Sequence, residues 1–203
     1  MLKQISPIFL LTIIAISSYG QNEVKVFETK CDSIYKNKEY KIIQQHFQNG
    51  IAGNEEKNTI FSFIRIINSK EVLIFKDTIF SSTGEIEFRN FNNDRIKDIL
   101  IQNTSDVRSN WTYYLYIVDT LHDRLKKIKG FEEIKAPNYL PKYDLIDNYV
   151  MSGQIWTSFY KIEGNHIKDF GIVIYDNQSD DGKYKRAYNK SLKQILARKQ
   201  NNR

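Results

Sequence analysis

The chain has 203 residues, of which 41% are hydrophobic and 27% are charged, so it can bury the core of one domain or two. One cysteine and three histidines exclude a disulfide framework and leave little for a zinc centre. The formal net charge of +6 is below that of a dedicated nucleic-acid binder, so no nucleic-acid partner is expected.

Residues 1–20 have the three parts of a secretory signal peptide. Lys3 precedes an apolar run over residues 5–16, and small residues follow up to Gly20. This run is shorter than the roughly 20 apolar residues of a spanning helix. An uncleaved N-terminal helix is the alternative. We expect cleavage after Gly20, a periplasmic or secreted location, no stable membrane anchor in the mature protein, and a buried Cys31.

The mature chain, residues 21–203, is predicted to be a single β-rich domain. Short β-branched and aromatic runs alternate with polar turns, which is typical of antiparallel strands. The expected fold class is mainly β, with antiparallel sheets in a sandwich-, barrel- or propeller-like domain and a short C-terminal helix. The predicted strands are Thr59–Ile67, 70–80, 98–103, Trp111–Asp119, 143–151, 155–162 and 166–175.

Three local features are expected among these strands. Asn68-Ser69 and Gly164-Asn165 each suit a tight hairpin turn. The imperfect alternation of residues 70–80 predicts a bulge or a fully buried segment. Both faces of Trp111–Asp119 are largely apolar, so this strand is predicted to lie inside a sheet that is covered on both sides.

Two segments have helical character. In residues 32–48 the apolar positions fit neither the helical nor the strand period clearly. Residues 191–199 place Leu192, Ile195 and Leu196 on one helical stripe, with Ser191 as a candidate cap. The basic tail over about residues 183–203 would carry this short helix.

A candidate metal-binding loop lies within residues 87–102. Side-chain oxygens recur at spacings of two, two and four residues, and a backbone carbonyl falls between the last two. Calcium takes six to eight oxygen ligands from alternate residues of a tight loop, completed by a later carboxylate. The candidate ligands are Asn90, Asn92, Asp94, the carbonyl of Ile96, and Asp98.

Two departures weaken this calcium loop. Asn90 replaces a carboxylate, and Arg95 stands where the turn would use glycine. The cofactor is therefore predicted to be either none or weakly bound calcium. In the favoured interpretation the loop keeps its shape through hydrogen bonds from Asn and Asp side chains to the backbone.

The loop resembles the D-x-[DN]-x-D-G-x-x-D-L loop of VCBS and FG-GAP-type repeats. Over residues 86–176 the order of loop, Tyr-rich strand, Pro-Asn segment, strand ending in Ser-Gly and final hairpin is similar to a secreted single-domain family. That family is similar to periplasmic c-type lysozyme inhibitors and includes immunity proteins against peptidoglycan hydrolases. The resemblance implies a binding protein whose partner is a protein such as a peptidoglycan hydrolase.

The resemblance also implies a partner-binding segment. In lysozyme-inhibitor-like proteins, loops of Ser and Gly meet the cleft of the enzyme. Here that implication falls on Ser152, Gly153 and Gln154, beside the aromatic Trp156. A simple turn between strands is the alternative.

Catalytic patterns are weak. Ser33 and Lys36 match Ser-x-x-Lys, but the companion motifs of penicillin-binding enzymes are missing. His122-Asp123 has no nucleophile elbow elsewhere in the sequence. We therefore expect no enzymatic activity.

Two functions remain. The first is an exported inhibitor or immunity protein for a cell-wall hydrolase. Because the chain is basic, it would repel the basic animal lysozymes, so an acidic or neutral bacterial hydrolase is the expected target. The alternative is a structural or adhesive module that binds an anionic cell-wall polymer through the basic tail, with a vestigial calcium loop.

Overall fold

A computed structural model describes residues 23–36, 38–179 and 181–201. The predicted signal peptide lies outside these residues. The expectation of a mainly β fold is confirmed, since the structure contains three antiparallel four-stranded sheets and a C-terminal helix, without a closed barrel. Within the described ranges, no helix combines the length and apolarity needed to cross a bilayer.

Each sheet is built from four strands that follow one another in sequence. The strands of sheet 1 are β1 Val24–Lys30, β2 Tyr40–Phe47, β3 Thr59–Ile67 and β4 Lys70–Ile79. Those of sheet 2 are β5 Ile86–Arg89, β6 Asp98–Ser105, β7 Trp111–Asp119 and β8 Arg124–Ile128. Those of sheet 3 are β9 Pro137–Leu140, β10 Leu145–Asn148, β11 Ile155–Glu163 and β12 His166–Asp176. A 3₁₀ turn at Phe131–Glu133 connects sheets 2 and 3, and helix α1 spans Lys183–Asn201.

The sheets and the helix stack as layers through three apolar clusters. Phe61 of sheet 1 packs on Tyr116 of sheet 2, with ring centroids 4.9 Å apart. Leu115 of sheet 2 and Ile146 of sheet 3 share the second cluster. The third joins sheet 3 to α1, where Ile195 is fully buried. Sheet 2 is thus covered on both faces, which confirms the prediction for Trp111–Asp119.

The local predictions for hairpins and bulge are confirmed. Asn68 and Ser69 connect β3 to β4 with φ values of 49° and 60°, the left-handed region that such turns use. Gly164 has a φ of 63° in the turn between β11 and β12. Opposite Phe63 and Ile64, the register of β4 skips Ile74, which forms the bulge.

Two helix predictions need correction. The prediction for residues 32–48 is wrong, because β2 occupies most of that segment and pairs with β1 and β3. Its apolar residues face two sides of the strand: Ile42 joins the core and Ile43 faces outward, which hides the strand period. Helix α1 begins at Lys183, so Ser191 lies inside it and is not its cap. Cys31 is fully buried, as expected.

Antiparallel pairing places the connecting loops at two ends of the stack. The calcium-like loop precedes β6, whereas residues 106–110 follow it. Residues 149–154, between β10 and β11, lie beside residues 106–110. The partner-binding segment and the calcium-like loop are therefore at opposite ends of β6.

Candidate partner-binding loops

Two loops from different sheets are joined by one buried side chain. We call residues 106–110 and 149–154 the loop surface. The amide of Asn110, which is 2% exposed, donates to the carbonyl of Met151 at 2.6 Å and accepts from its N–H at 2.9 Å. These bonds cross 41 positions of sequence and link sheet 2 to sheet 3.

Asp106 organises the first of these loops. Its carboxylate accepts from the side-chain amide of Asn110 at 2.9 Å, from the backbone N–H of Arg108 at 3.0 Å and from Lys135 Nζ at 3.0 Å. The hydrogen bonds from Lys135 and Asn110 hold the pKa of Asp106 well below its ordinary value. The loop is therefore fixed by an ionised carboxylate at neutral pH.

The loop surface presents apolar side chains and one arginine to solvent. The relative exposure is 101% for Val107, 50% for Met151 and 42% for Tyr149. Arg108 is also exposed, and its guanidinium donates to the carbonyl of Ser152 at 3.1 Å. Exposed apolar residues grouped around an arginine are typical of protein-binding surfaces.

The four predicted partner-binding residues lie in or beside one hairpin turn. The Ser152 hydroxyl donates to the carbonyl of Gln154, with Gly153 between them. Val150 and Trp156 then pair through two backbone hydrogen bonds of 2.9 and 3.3 Å. The segment is thus a turn, and it is also one wall of a 300 Å³ cleft. That cleft is lined by Arg108, Ser152, Gly153, Gln154, Ile155, Asp176, Asn177 and Gln178.

Trp156 is half-buried on β11, where it pairs with Tyr175 of β12. Tyr175 is 56% exposed, and the hydroxyl of nearby Tyr149 donates to Asp176 at 2.9 Å. That hydrogen bond raises the pKa of Tyr149. Aromatic side chains thus extend the loop surface along the adjacent strand end.

Sequence reasoning missed Val107, Arg108 and Asn110. Residues 103–110 have the composition of a polar loop between two strands, and nothing in their pattern indicates a contact with Met151. The spacing of Asp106 and Asn110 is the only local signal of an ordered loop, because side chains of both residue types form hydrogen bonds that stabilise turns.

The calcium-like loop is held by hydrogen bonds from its own side chains. Asn90 Oδ1 accepts from the N–H groups of Asn92 at 3.1 Å and Asn93 at 2.7 Å. Asp94 Oδ1 accepts from the N–H of Ile96 at 2.8 Å. Arg95 has a φ of 67°, which glycine would adopt without strain.

The candidate calcium ligands make hydrogen bonds within the protein. Asp98 is fully buried, and its oxygens accept from the N–H groups of Phe91 at 2.7 Å and Val118 at 3.2 Å. Burial raises the pKa of Asp98 to about 7. The side-chain amides of Asn90 and Asn92 donate to the carboxylate of Asp94 at 3.4 and 2.7 Å. Among the described residues, no group of three acidic, His or Cys side chains is placed to hold a metal.

His122 and Asp123, which form one of the weak catalytic patterns, both make contacts with other side chains. His122 is exposed and hydrogen-bonds to Asp119 at 2.7 Å. Asp123 forms ion pairs with Lys38 and Arg65, and it also accepts from Tyr40. These contacts tie the turn between β7 and β8 to sheet 1.

No protein-family model matches the chain, and neither the curated proteins nor the solved structures give a match. The resemblance to lysozyme inhibitors and immunity proteins therefore stays a prediction.

Proposed function

We propose that the protein is an exported binding protein that inhibits, or confers immunity to, a cell-wall hydrolase. The observation that carries this proposal is the loop surface, where buried Asn110 fixes two loops from different sheets. The predicted signal peptide supports export.

The chemistry of the loop surface suits a protein partner. Binding energy in protein interfaces concentrates in a few anchors, often aromatic side chains or arginine, surrounded by weaker contacts. Tyr149, Met151 and Arg108 supply such anchors. Their loops are held by hydrogen bonds in the free protein, which reduces the conformational entropy lost on binding.

The net charge of the protein indicates which hydrolases it would attract. With a net charge of +6, the chain would attract an acidic hydrolase and repel a strongly basic one. Arg108 is positioned to pair with a carboxylate, because its guanidinium is exposed beside the cleft next to Ser152. The target is therefore an acidic or neutral hydrolase with carboxylates in its substrate cleft.

The test is an affinity capture of exported proteins from the source organism with the mature protein as bait. A peptidoglycan hydrolase should be retained, and adding the bait should reduce its activity in proportion to the amount added. Met151→Asp and Arg108→Glu should abolish both effects. Leu121→Asp is the matched control, because Leu121 is 79% exposed in the turn after β7, at the other end of the stack.

Helix α1 favours a second candidate function, the binding of an anionic cell-wall polymer. The helix contains no Asp or Glu. Its described basic side chains are Lys183, Lys185, Arg186, Lys190, Lys193 and Arg198. Co-sedimentation with purified wall polymer that falls steeply with salt, without any effect on hydrolases, would favour this function over the first.

A further inference from the structure

A cleft of 530 Å³ lies where sheets 1 and 2 end side by side. One wall is residues 26–29 of β1, and the other is residues 83–86, which lead into β5. Among the described strands, β1 pairs with β2 only and β5 pairs with β6 only. Both strands that border the cleft are therefore edge strands.

Strand β1 is an exposed edge. Six of its seven residues are exposed to solvent, with Val26 at 61% and Phe27 at 47%. Within the described chain, the ring of Phe27 takes part in no aromatic pair and has no cation over it. The unpaired backbone N–H and C=O groups of such an edge can accept an additional strand.

The cleft also contains a buried side-chain amide without a partner. Gln44 is 2% exposed, and no group of the described chain accepts a hydrogen bond from its Nε2. Gln44 lies directly opposite Phe27 in the pairing of β1 with β2, so both side chains lie on the face that packs against sheet 2. Because an unpaired buried donor costs stability, a ligand that supplies an acceptor here gains binding energy.

The opposite wall of the cleft leaves room for an inserted side chain. Gly84 has a φ of 74°, and a Cβ added there would meet no heavy atom within 4 Å. Ile86 is half-buried against the core cluster between sheets 1 and 2 and closes the inner side of this wall. The space beside Gly84 is therefore open, whereas the space behind Ile86 is filled.

The charged side chains around the cleft favour neither sign. Lys25 and Lys30 lie on β1, and the carboxylates of Glu28 and Glu85 line the cleft. Glu28 already pairs with Lys41 at 3.0 Å. An uncharged ligand therefore suits this cleft better than a strongly acidic or basic one.

We propose that this edge binds an uncharged, extended segment of a partner protein, which adds to β1 and inserts an asparagine or glutamine side chain beside Gln44. The backbone of the segment pairs with the free edge of β1. The inserted carboxamide accepts a hydrogen bond from Gln44 Nε2 and can donate one to Gln44 Oε1. A second copy of this chain fits less well, because its β1 contains neither asparagine nor glutamine.

This site is independent of the hydrolase proposal. It uses no residue of the loop surface, so Met151→Asp should leave peptide binding at β1 unchanged. Failure of peptide binding would leave the hydrolase result unaffected, and the reverse also holds.

The test is isothermal titration calorimetry of the mature protein with three synthetic heptapeptides whose ends are blocked. The peptide Thr-Val-Thr-Gln-Thr-Val-Thr presents valine and glutamine on one face of an extended strand. The other two peptides carry leucine or glutamate in place of the glutamine. We expect the glutamine peptide to bind at least tenfold more tightly than either of them. Equal or tighter binding of the leucine or glutamate peptide, or no binding of any peptide, would overturn the proposal.

Two matched variants locate the site. Gln44→Leu should reduce the preference for glutamine over leucine to less than twofold. This variant should fold, because replacing an unpartnered buried amide by an apolar side chain of similar size does not cost stability. Gln45→Leu deletes the same amide from the neighbouring exposed position of β2 and should keep the tenfold preference. A preference that survives Gln44→Leu, or that is lost in Gln45→Leu, would contradict the site.

Light scattering of the protein alone tests the competing occupant. We expect a monomer at the concentrations of the titration. A dimer that is abolished by Phe27→Lys and not displaced by the glutamine peptide would assign the edge to a second copy and overturn the proposal.

Discussion

Asn110 is the side chain on which the loop surface depends. It is 2% exposed and makes hydrogen bonds to both loops, so its loss leaves buried polar groups without partners. We expect Asn110→Ala to lower the free energy of unfolding by about 1–3 kcal/mol, measured by urea denaturation. Partner binding should weaken with it, since the loops lose their common tie.

The matched control is Asn189→Ala, which changes an exposed asparagine on α1. This variant should keep or slightly raise stability, because alanine favours helix. If both variants had the same stability as the wild type, the loops would not be joined in the way described.

Asp106 makes the loop surface sensitive to acid. Its pKa in the folded protein is lowered by hydrogen bonds from Lys135 and Asn110, whereas an unfolded aspartate has a pKa of about 3.9. The carboxylate therefore stabilises the fold fully above the unfolded value, and this contribution is lost as the pH falls below it. The unfolding free energy should fall less steeply from about pH 5 to pH 2 in Asp106→Asn than in the wild type.

Asp32→Asn serves as the comparison, because Asp32 is an exposed aspartate in the turn after β1. It should follow the wild-type pH profile. Identical slopes for Asp106→Asn and the wild type would show that the carboxylate does not organise the loop.

At the residue scale the sequence reveals local patterns of side chains, but it does not reveal contacts between distant residues. The calcium-like spacing from Asn90 to Asp98 was visible, because its ligand pattern is local. The hydrogen bond from Asn110 to Met151 joins two sheets across 41 positions, and no local pattern encodes it. The sequence predicts Asp98 as a metal ligand, and only the structure reveals that Asp98 is fully buried and accepts two backbone N–H groups.

Among the secondary-structure elements, helix α1 acts as a fourth layer on sheet 3. Leu192 is 6% exposed in the cluster that joins them. Leu192→Ala should lower the free energy of unfolding by about 2–4 kcal/mol through lost burial and a residual cavity. Leu121→Ala makes the same change at a side chain that is 79% exposed, and it should have almost no effect. Comparable losses in the two variants would contradict packing of α1 on the sheet.

A second prediction at this scale concerns the response of the calcium-like loop to calcium. Because its asparagine amides donate to Asp94, 2 mM calcium should raise the melting temperature by less than about 1 °C. The double variant Asn90→Asp, Arg95→Gly restores a third carboxylate and relieves the left-handed backbone at Arg95. It should gain a calcium-dependent rise of several degrees, read by differential scanning fluorimetry.

Asp94→Ala in the wild-type background is the control for this experiment. If calcium stabilised the wild type by many degrees and Asp94→Ala abolished the effect, the loop would be a working calcium site.

Elements with a clear period were predicted well. Thr59–Ile67, Trp111–Asp119 and the last hairpin alternate or end at recognisable turns, and all three are confirmed. The helix prediction over residues 32–48 failed because adjacent apolar residues lie on both faces of β2. The sequence does not reveal the start of α1, because Tyr184 and Tyr188, which pack against sheet 3, stand among charged and polar residues.

The whole molecule is a stack of three sheets and a helix, with different chemistry at its two ends. One end carries the loop surface, with Val107, Arg108 and Met151 exposed. The other carries the calcium-like loop and a cleft that Arg198 lines in part. The composition and the hydrophobic periodicity predict the fold class. The order of the layers depends on which sheet faces pack against each other, and only the structure reveals that order.

The most direct test of the account is a titration of the captured hydrolase with the mature protein, with peptidoglycan turnover as the readout. We predict that activity falls linearly to near zero at one equivalent of wild-type protein. Leu121→Asp should behave like the wild type, and Met151→Asp should leave the hydrolase active. Full hydrolase activity at several equivalents, or turnover of peptidoglycan by the protein alone, would contradict a binding protein that acts on a cell-wall hydrolase.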